Sequence, residues 1–204
     1  MTILKRHFVT LSLAILAFSG AASGQNQDLA LPLGVIAPHY SITSGPDSRV
    51  SAGAGAAFQI NYGHQVAGTK SGDLYIEFPV ILAGRGDTVT GTYTSSNNGS
   101  ALGAFLPGAR FRFPSLGRAS FFAAAGAGVG WYDRNLVLVS GRSLSLTGGT
   151  TATAAFDFGG GMDLRLTRLL SLRGEVRDLV TSQGSLGGAG HHNPIVAFGP
   201  AFHF

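Results

Sequence analysis

Along much of this chain, apolar and small or polar residues take alternate positions. From 51 to 64 one parity carries Ala52, Ala54, Ala56, Phe58, Ile60 and Tyr62, and the other Ser51, Gly53, Gly55, Gln59, Asn61 and Gly63. Side chains on a strand point alternately to its two faces, so the pattern predicts a strand with one apolar and one small or polar face. From 119 to 132, Phe121, Ala123, Ala125, Ala127, Val129 and Trp131 oppose Ser120, Ala124 and alternate glycines. From 151 to 166, Phe156, Phe158, Met162, Leu164 and Leu166 oppose Thr153, Asp157, Asp163 and Arg165. Segments 73–84, 101–113, 170–181 and 194–204 follow the same rule less cleanly.

Length separates two kinds of strand. Soluble sheets average about 5 or 6 residues per strand, whereas a tilted strand needs about 9 to 11 to cross a bilayer. These segments run to roughly 10 to 14. A soluble barrel would turn its apolar face inward and expose charges on the other. Here the second parity is mostly Gly, Ala, Ser and Thr, which suits the crowded inside of a narrow barrel whose apolar face meets lipid.

The connections give the topology. Those at 64–72, 113–119 and 166–170 are short; those at 84–100, 133–150 and 181–193 are long and rich in Gly, Ser, Thr and Asn. Outer-membrane barrels have short periplasmic turns and long outer loops. Counting back from a periplasmic C-terminus, seven strands leave the first descending from outside, so an ascending strand has to precede it. Residues 33–43 supply it, followed by a turn at 44–48 containing Gly45 and Pro46, although Pro32 and Pro38 fit a ladder poorly. The prediction is all-β: an eight-stranded antiparallel up-and-down transmembrane β-barrel over 33–204, with 25–32 a short periplasmic segment.

Before it, Lys5, Arg6 and His7 make a positive region, residues 8–18 an apolar one, and Ala22 and Gly24 a small-residue cleavage motif. Residues 1–24 therefore read as a cleaved signal peptide. Removing Lys5 and Arg6 lowers the formal charge of +4 by two, and the remaining basic residues are scattered, which argues against nucleic acid. The chain has no cysteine, so a secreted domain of this kind is held by its core and its ladder.

The chain resembles the small outer-membrane β-barrel domains, the eight-stranded OmpA/OmpX-like group. The resemblance rests on Phe121–Gly128, on the run from Leu172 to Asp178, and on the ending Gly199-x-x-Phe202-x-Phe204, similar to the signal that the barrel-assembly machinery reads. It implies a place in the cell outer membrane, lipid and that machinery as partners, and no single activity.

Among chemistry-bearing residues, the inner parity carries Glu77, Arg110, Asp157, Asp163, Arg173, Glu175 and Arg177, with Arg112 and Arg165 just below. Charges enclosed in a narrow barrel cost several kcal/mol unless paired, so they are expected to form an ion-pair network that fills the lumen. One pairing follows from parity. Leu164 and Leu166 share the lipid face with Leu170 and Leu172, which calls for a three-residue turn, Thr167-Arg168-Leu169, and sets Asp163 opposite Arg173. Interfacial girdles are expected from Trp131 and Tyr132 outside, and from Tyr62, Phe111, Phe113, Phe121, Phe202 and Phe204 at the periplasmic ends. The pair His191-His192 reads as a solvated loop without a carboxylate nearby, so no metal is expected. His39-x-Ser41 is similar to a motif of lipid A deacylases but has no acidic partner. Arg85-Gly86-Asp87 is a chance-prone adhesive tripeptide, and Asn98-Gly99 reads as a tight turn. The function expected is structural or surface-interacting, with no enzyme activity and no cofactor; a narrow pore or a conduit for small apolar molecules is the second reading.

Overall fold

A lipid-facing backbone has no water to bond, and a sheet satisfies all its donors and acceptors only by closing on itself. The structure, a computed structural model, describes residues 26–38, 41–43, 48–91, 95–140, 143–182 and 191–204. It is a closed sheet in which every pairing is antiparallel. Its strands are β1 (Gln27–Ala30), β2 (Leu33–Ile36), β3 (Ser41–Thr43), β4 (Ser48–Thr69), β5 (Gly72–Gly91), β6 (Ser95–Phe105), β7 (Gly108–Arg112), β8 (Ala119–Ser140), β9 (Ser143–Arg165), β10 (Leu170–Thr181) and β11 (His191–His203). β1 to β3 form the first stave and β6 with β7 the fourth, so the eleven strands make eight staves. The fourth stave breaks at Leu106-Pro107, where proline has no N–H to give. Leu106 still donates to Pro79, and Ala127 to Pro107, across the break.

The first stave begins earlier than the sequence reading placed it. Gln27 to Ala30 already pair with β4 and β11, so residues 27–32 belong to the barrel wall and are not a periplasmic segment. β2 continues the closure, with Leu33 opposite Phe198 and Ile36 opposite Ile195. At the bottom of the seam Gln27 and Phe204 exchange two backbone hydrogen bonds, both 3.0 Å.

The strands also reach further outward than expected. β4, β5, β8 and β9 are 22, 20, 22 and 23 residues long. At about 3.3 Å per residue this is roughly twice the ~30 Å hydrocarbon core. The segments read as outer loops at 84–100 and 133–150 are therefore mostly hairpin, paired out to Thr90 with Ser95 and Ser140 with Ser143. Asn98 and Gly99 stand opposite Asp87 and Gly86 in that ladder and are not a turn. Above Leu102 with Tyr132 the wall divides: β6 goes on with β5, and β8 with β9.

The two faces separate as parity requires. Leu74, Ile76, Phe78, Phe158, Leu172, Val196 and Phe198 are exposed on the outside, Phe198 to 67%. In water such a belt would be a liability; in a bilayer it is the favourable surface.

Candidate functional site in the lumen

The inner columns of two opposed staves climb from polar to apolar and back to polar. β5 contributes Tyr75, Glu77, Ile81, Ala83 and Arg85 in ascending order, and β10 contributes Ser171, Arg173, Glu175, Arg177, Leu179 and Thr181. The lumen is thus built in three storeys.

The lowest is a network of buried charges. Arg173 forks onto Asp163, Nε to Oδ1 at 2.7 Å and Nη2 to Oδ2 at 2.8 Å. The two residues stand directly opposite across β9 and β10, the register that parity demanded, and the turn at 167–169 closes with Leu166 donating to Leu170. Arg177 meets three carboxylates: Glu77 at 2.6 Å, Asp157 at 2.6 Å and Glu175 at 3.4 Å. Asn61 donates to Glu175 at 3.1 Å. Arg110 lies 3.8 Å from Glu77 and bonds Asp28. Asp28 also faces Arg173 at 3.6 Å.

Asp28 was missing from the sequence-based set because its segment was assigned to the periplasm. The signal was there: Leu29, Leu31, Leu33 and Val35 alternate with Asp28, Ala30, Pro32 and Gly34. Gly63 makes space for this residue's ion pair, since a Cβ there would stand 2.7 Å from Arg110 Nη2 and 3.0 Å from Asp28 Oδ1. Aromatic rings knit the guanidiniums together. Tyr75 lies between Arg112 and Arg110, at 4.9 and 4.6 Å, and Phe122 between Arg110 and Arg173, at 5.5 and 5.0 Å. Such cation–π stacking favours closely spaced cations that would otherwise repel.

Two of the expected members stand apart. Arg165, at the end of β9, is exposed and makes no ion pair among the described residues, because the wall there has passed the enclosed section. Arg112 is half-buried and bonds Asp73 at 2.8 Å, joining the network through Tyr75. Beneath Arg173, Ser171 and His203 are 2.8 Å apart and buried. Gly199 sits opposite Arg173 on β11, while Phe202 faces outward.

The middle storey is apolar. Ile36, Ile81, Leu102, Leu106, Leu179 and Ile195 are buried together across the bore, with Tyr132 opposite Leu102 in the same cluster. Tyr132 therefore points inward and is no part of the outer girdle, whereas Trp131 packs over Gly103 on the outside, where a Cβ would come within 2.1 Å of the indole. The upper storey is polar. Arg85 is only 6% exposed, donates to Ser100 at 3.0 Å and reaches Asn193, so the Arg-Gly-Asp tripeptide does not display its arginine. His192 does have a carboxylate beside it: Asp178 lies 2.6 Å away across the rim, correcting the isolated-loop reading. His39 and Tyr40 lie outside the described residues, as does the signal segment.

No family model matches the chain, and no curated protein does. Its structure is similar to that of Neisserial surface protein A, with a TM-score of 0.58 at 12% identity over 90% of this chain and 100% of that one. It is similar also to the outer membrane protein OprG from Pseudomonas aeruginosa, at 0.56 and 10% identity over 88% and 95%. The outer membrane protease OmpT from Escherichia coli gives 0.50 and 6% over 91% and 99%. These likenesses establish the fold, that of the outer-membrane β-barrels. With the apolar belt on its outer face, this barrel belongs in the outer membrane.

Proposed function

We propose that the protein is a non-enzymatic barrel with a closed lumen, serving as a structural element and a surface-interaction platform. The observation that carries this reading is the stacking of an apolar storey directly on an ion-pair network. An eight-stranded barrel is just wide enough for side chains to fill it. Charged groups below exclude apolar solutes, and Ile81, Leu102, Leu106, Leu179 and Ile195 above exclude ions. A particle that passes one layer is refused by the other. The Ser171–His203 contact does not favour an enzyme, since both groups are enclosed, at 2% and 9% exposure, beneath a committed Arg173. Mass crosses no such lumen, so what remains for the protein to offer is its outward half, the long paired hairpins.

The test is planar-bilayer recording of the refolded barrel. The expected record shows no steady single-channel current. Reproducible conductance steps would overturn the closed-lumen reading in favour of a narrow pore.

A further inference from the structure

From Val80 with Phe105 to Thr90 with Ser95, β5 and β6 pair without a break in register. Leu106 donates its N–H toward β5, to Pro79. Donor direction alternates along an antiparallel strand, so Ser100, Asn98 and Ser96 also spend theirs on β5. The N–H groups of Ala101, Gly99, Asn97 and Ser95 point the other way. Up to Leu102 with Tyr132 that edge is covered by β8; beyond it, no strand among the described residues covers it. Sheet edges are ordinarily blunted by charge, proline or a bulge. The run 95–101, Ser-Ser-Asn-Asn-Gly-Ser-Ala, has no charge and no proline, and its ladder has no bulge.

At the foot of the split lies a groove of about 630 Å³ whose lining includes Ala54, Gly84, Ala101, Asp133, Thr150 and Arg85, the last already bonded to Ser100. Most of these side chains are small. The acid Asp133 is exposed and accepts from Thr150 at 2.9 Å.

From this juxtaposition we infer that the outward edge of β6 is a docking site for an extended polypeptide segment of an external partner, bound by strand addition. The inference rests on the surface-interaction reading and names the chemistry of the partner. Main-chain hydrogen bonds supply the affinity in this mode, and pockets for alternate side chains supply the selectivity. The outward donors of Ala101, Gly99, Asn97 and Ser95, taken by no described strand, set a length of about seven residues. The groove takes small side chains, and Asp133 selects a basic one at the inner end.

The experiment uses the full mature chain in lipid nanodiscs and a fluorescein-labelled heptapeptide, Lys-Thr-Val-Thr-Val-Thr-Lys, followed by anisotropy. Saturable binding is expected. Asn97→Pro removes an outward donor while leaving the β5 ladder intact, and weakens binding about ten-fold, whereas Asn97→Ser leaves it within about two-fold. Heat-modifiable gel mobility verifies that each variant is folded. Ala101→Pro supplies a second variant of the same kind. The peptide itself gives an independent arm: N-methylation of one set of alternate amides abolishes binding, and methylation of the other set does not.

Absence of saturable binding would overturn the inference. So would equal binding by the proline variants, or equal effects of the two methylation patterns. A dimer seen by light scattering and dissolved by Asn97→Pro would mean that the edge belongs to a second copy, which also overturns it. The parent reading fails separately. Steady current sinks the closed lumen whatever the peptide does, and a silent barrel that ignores the peptide loses strand addition alone.

Discussion

Arg173 and Asp163 face each other across β9 and β10 and share a two-point fork at 2.7 and 2.8 Å, enclosed by the wall on every side. Removing Asp163 takes away both bonds of the fork and leaves Arg173 facing Asp28 across a longer, 3.6 Å contact. Asp163→Asn is therefore expected to cost about 3 kcal/mol, and replacing both with Asp163→Leu and Arg173→Met to recover most of it. Urea unfolding in lipid vesicles reads the difference. A double variant no more stable than the single one would count against the pairing argument.

Arg177 predicts the opposite sensitivity. Three carboxylates, Glu77, Asp157 and Glu175, crowd its guanidinium. Like charges at such distances repel, so neutralising one relieves strain while two partners remain. Asp157→Asn should leave stability within about 1 kcal/mol of the parent, far milder than Asp163→Asn. The same unfolding assay compares them side by side.

Trp131 is the chain's single tryptophan and lies over Gly103. Gly103→Val displaces the indole from the wall. A loss of about 1–3 kcal/mol is expected from the overpacking, together with a changed emission maximum and altered quenching by brominated lipid. An unchanged spectrum would show that the ring does not rest on this glycine.

Cleavage between Gly24 and Gln25 is the expected processing step, to be checked by N-terminal sequencing of the mature protein. It would leave Asp28 four residues into the chain. Deletion of residues 27–30 should then abolish the heat-modifiable form, because the seam loses its lower pairs and Arg110 keeps only the longer contact to Glu77 among the described residues. Deleting Phe204 at the other end should lower insertion and leave misfolded protein in the periplasm, as surface levels of the truncated chain would reveal.

The wall was legible from the sequence because lipid and lumen demand opposite chemistry at every step. Phe121 and Phe122 are neighbours, yet the first is exposed outside and the second buried within, and parity assigns them correctly. The Asp163–Arg173 register was legible for the same reason. Parity fails where both faces are apolar. Val80, Ile81 and Leu82 read as a run, which hid Ile81 and with it the middle storey of the lumen. It fails also where strands outrun the bilayer. Beyond the bilayer the two faces no longer differ, polar on both along 95–100 and apolar on both at Leu136-Val137-Leu138-Val139, so the hairpin extensions of β5, β6, β8 and β9 look like loops. Asp28 was lost to a different cause, the two prolines that made the first stave look unfit for a ladder.

The reciprocal Gln27–Phe204 pair has a kinetic meaning. The contact that completes the cylinder joins the first strand of the barrel wall to the last, and long sequence separation slows folding. A chain that lacks β11 cannot close the cylinder, because β1 and β2 both pair with it. Closure therefore comes late, once β11 is available to meet β1 and β2. Because the two ends lie side by side, a short tether between them, with new ends cut into the outward tip between Ser140 and Ser143, would give a permuted barrel whose closing seam falls between β8 and β9.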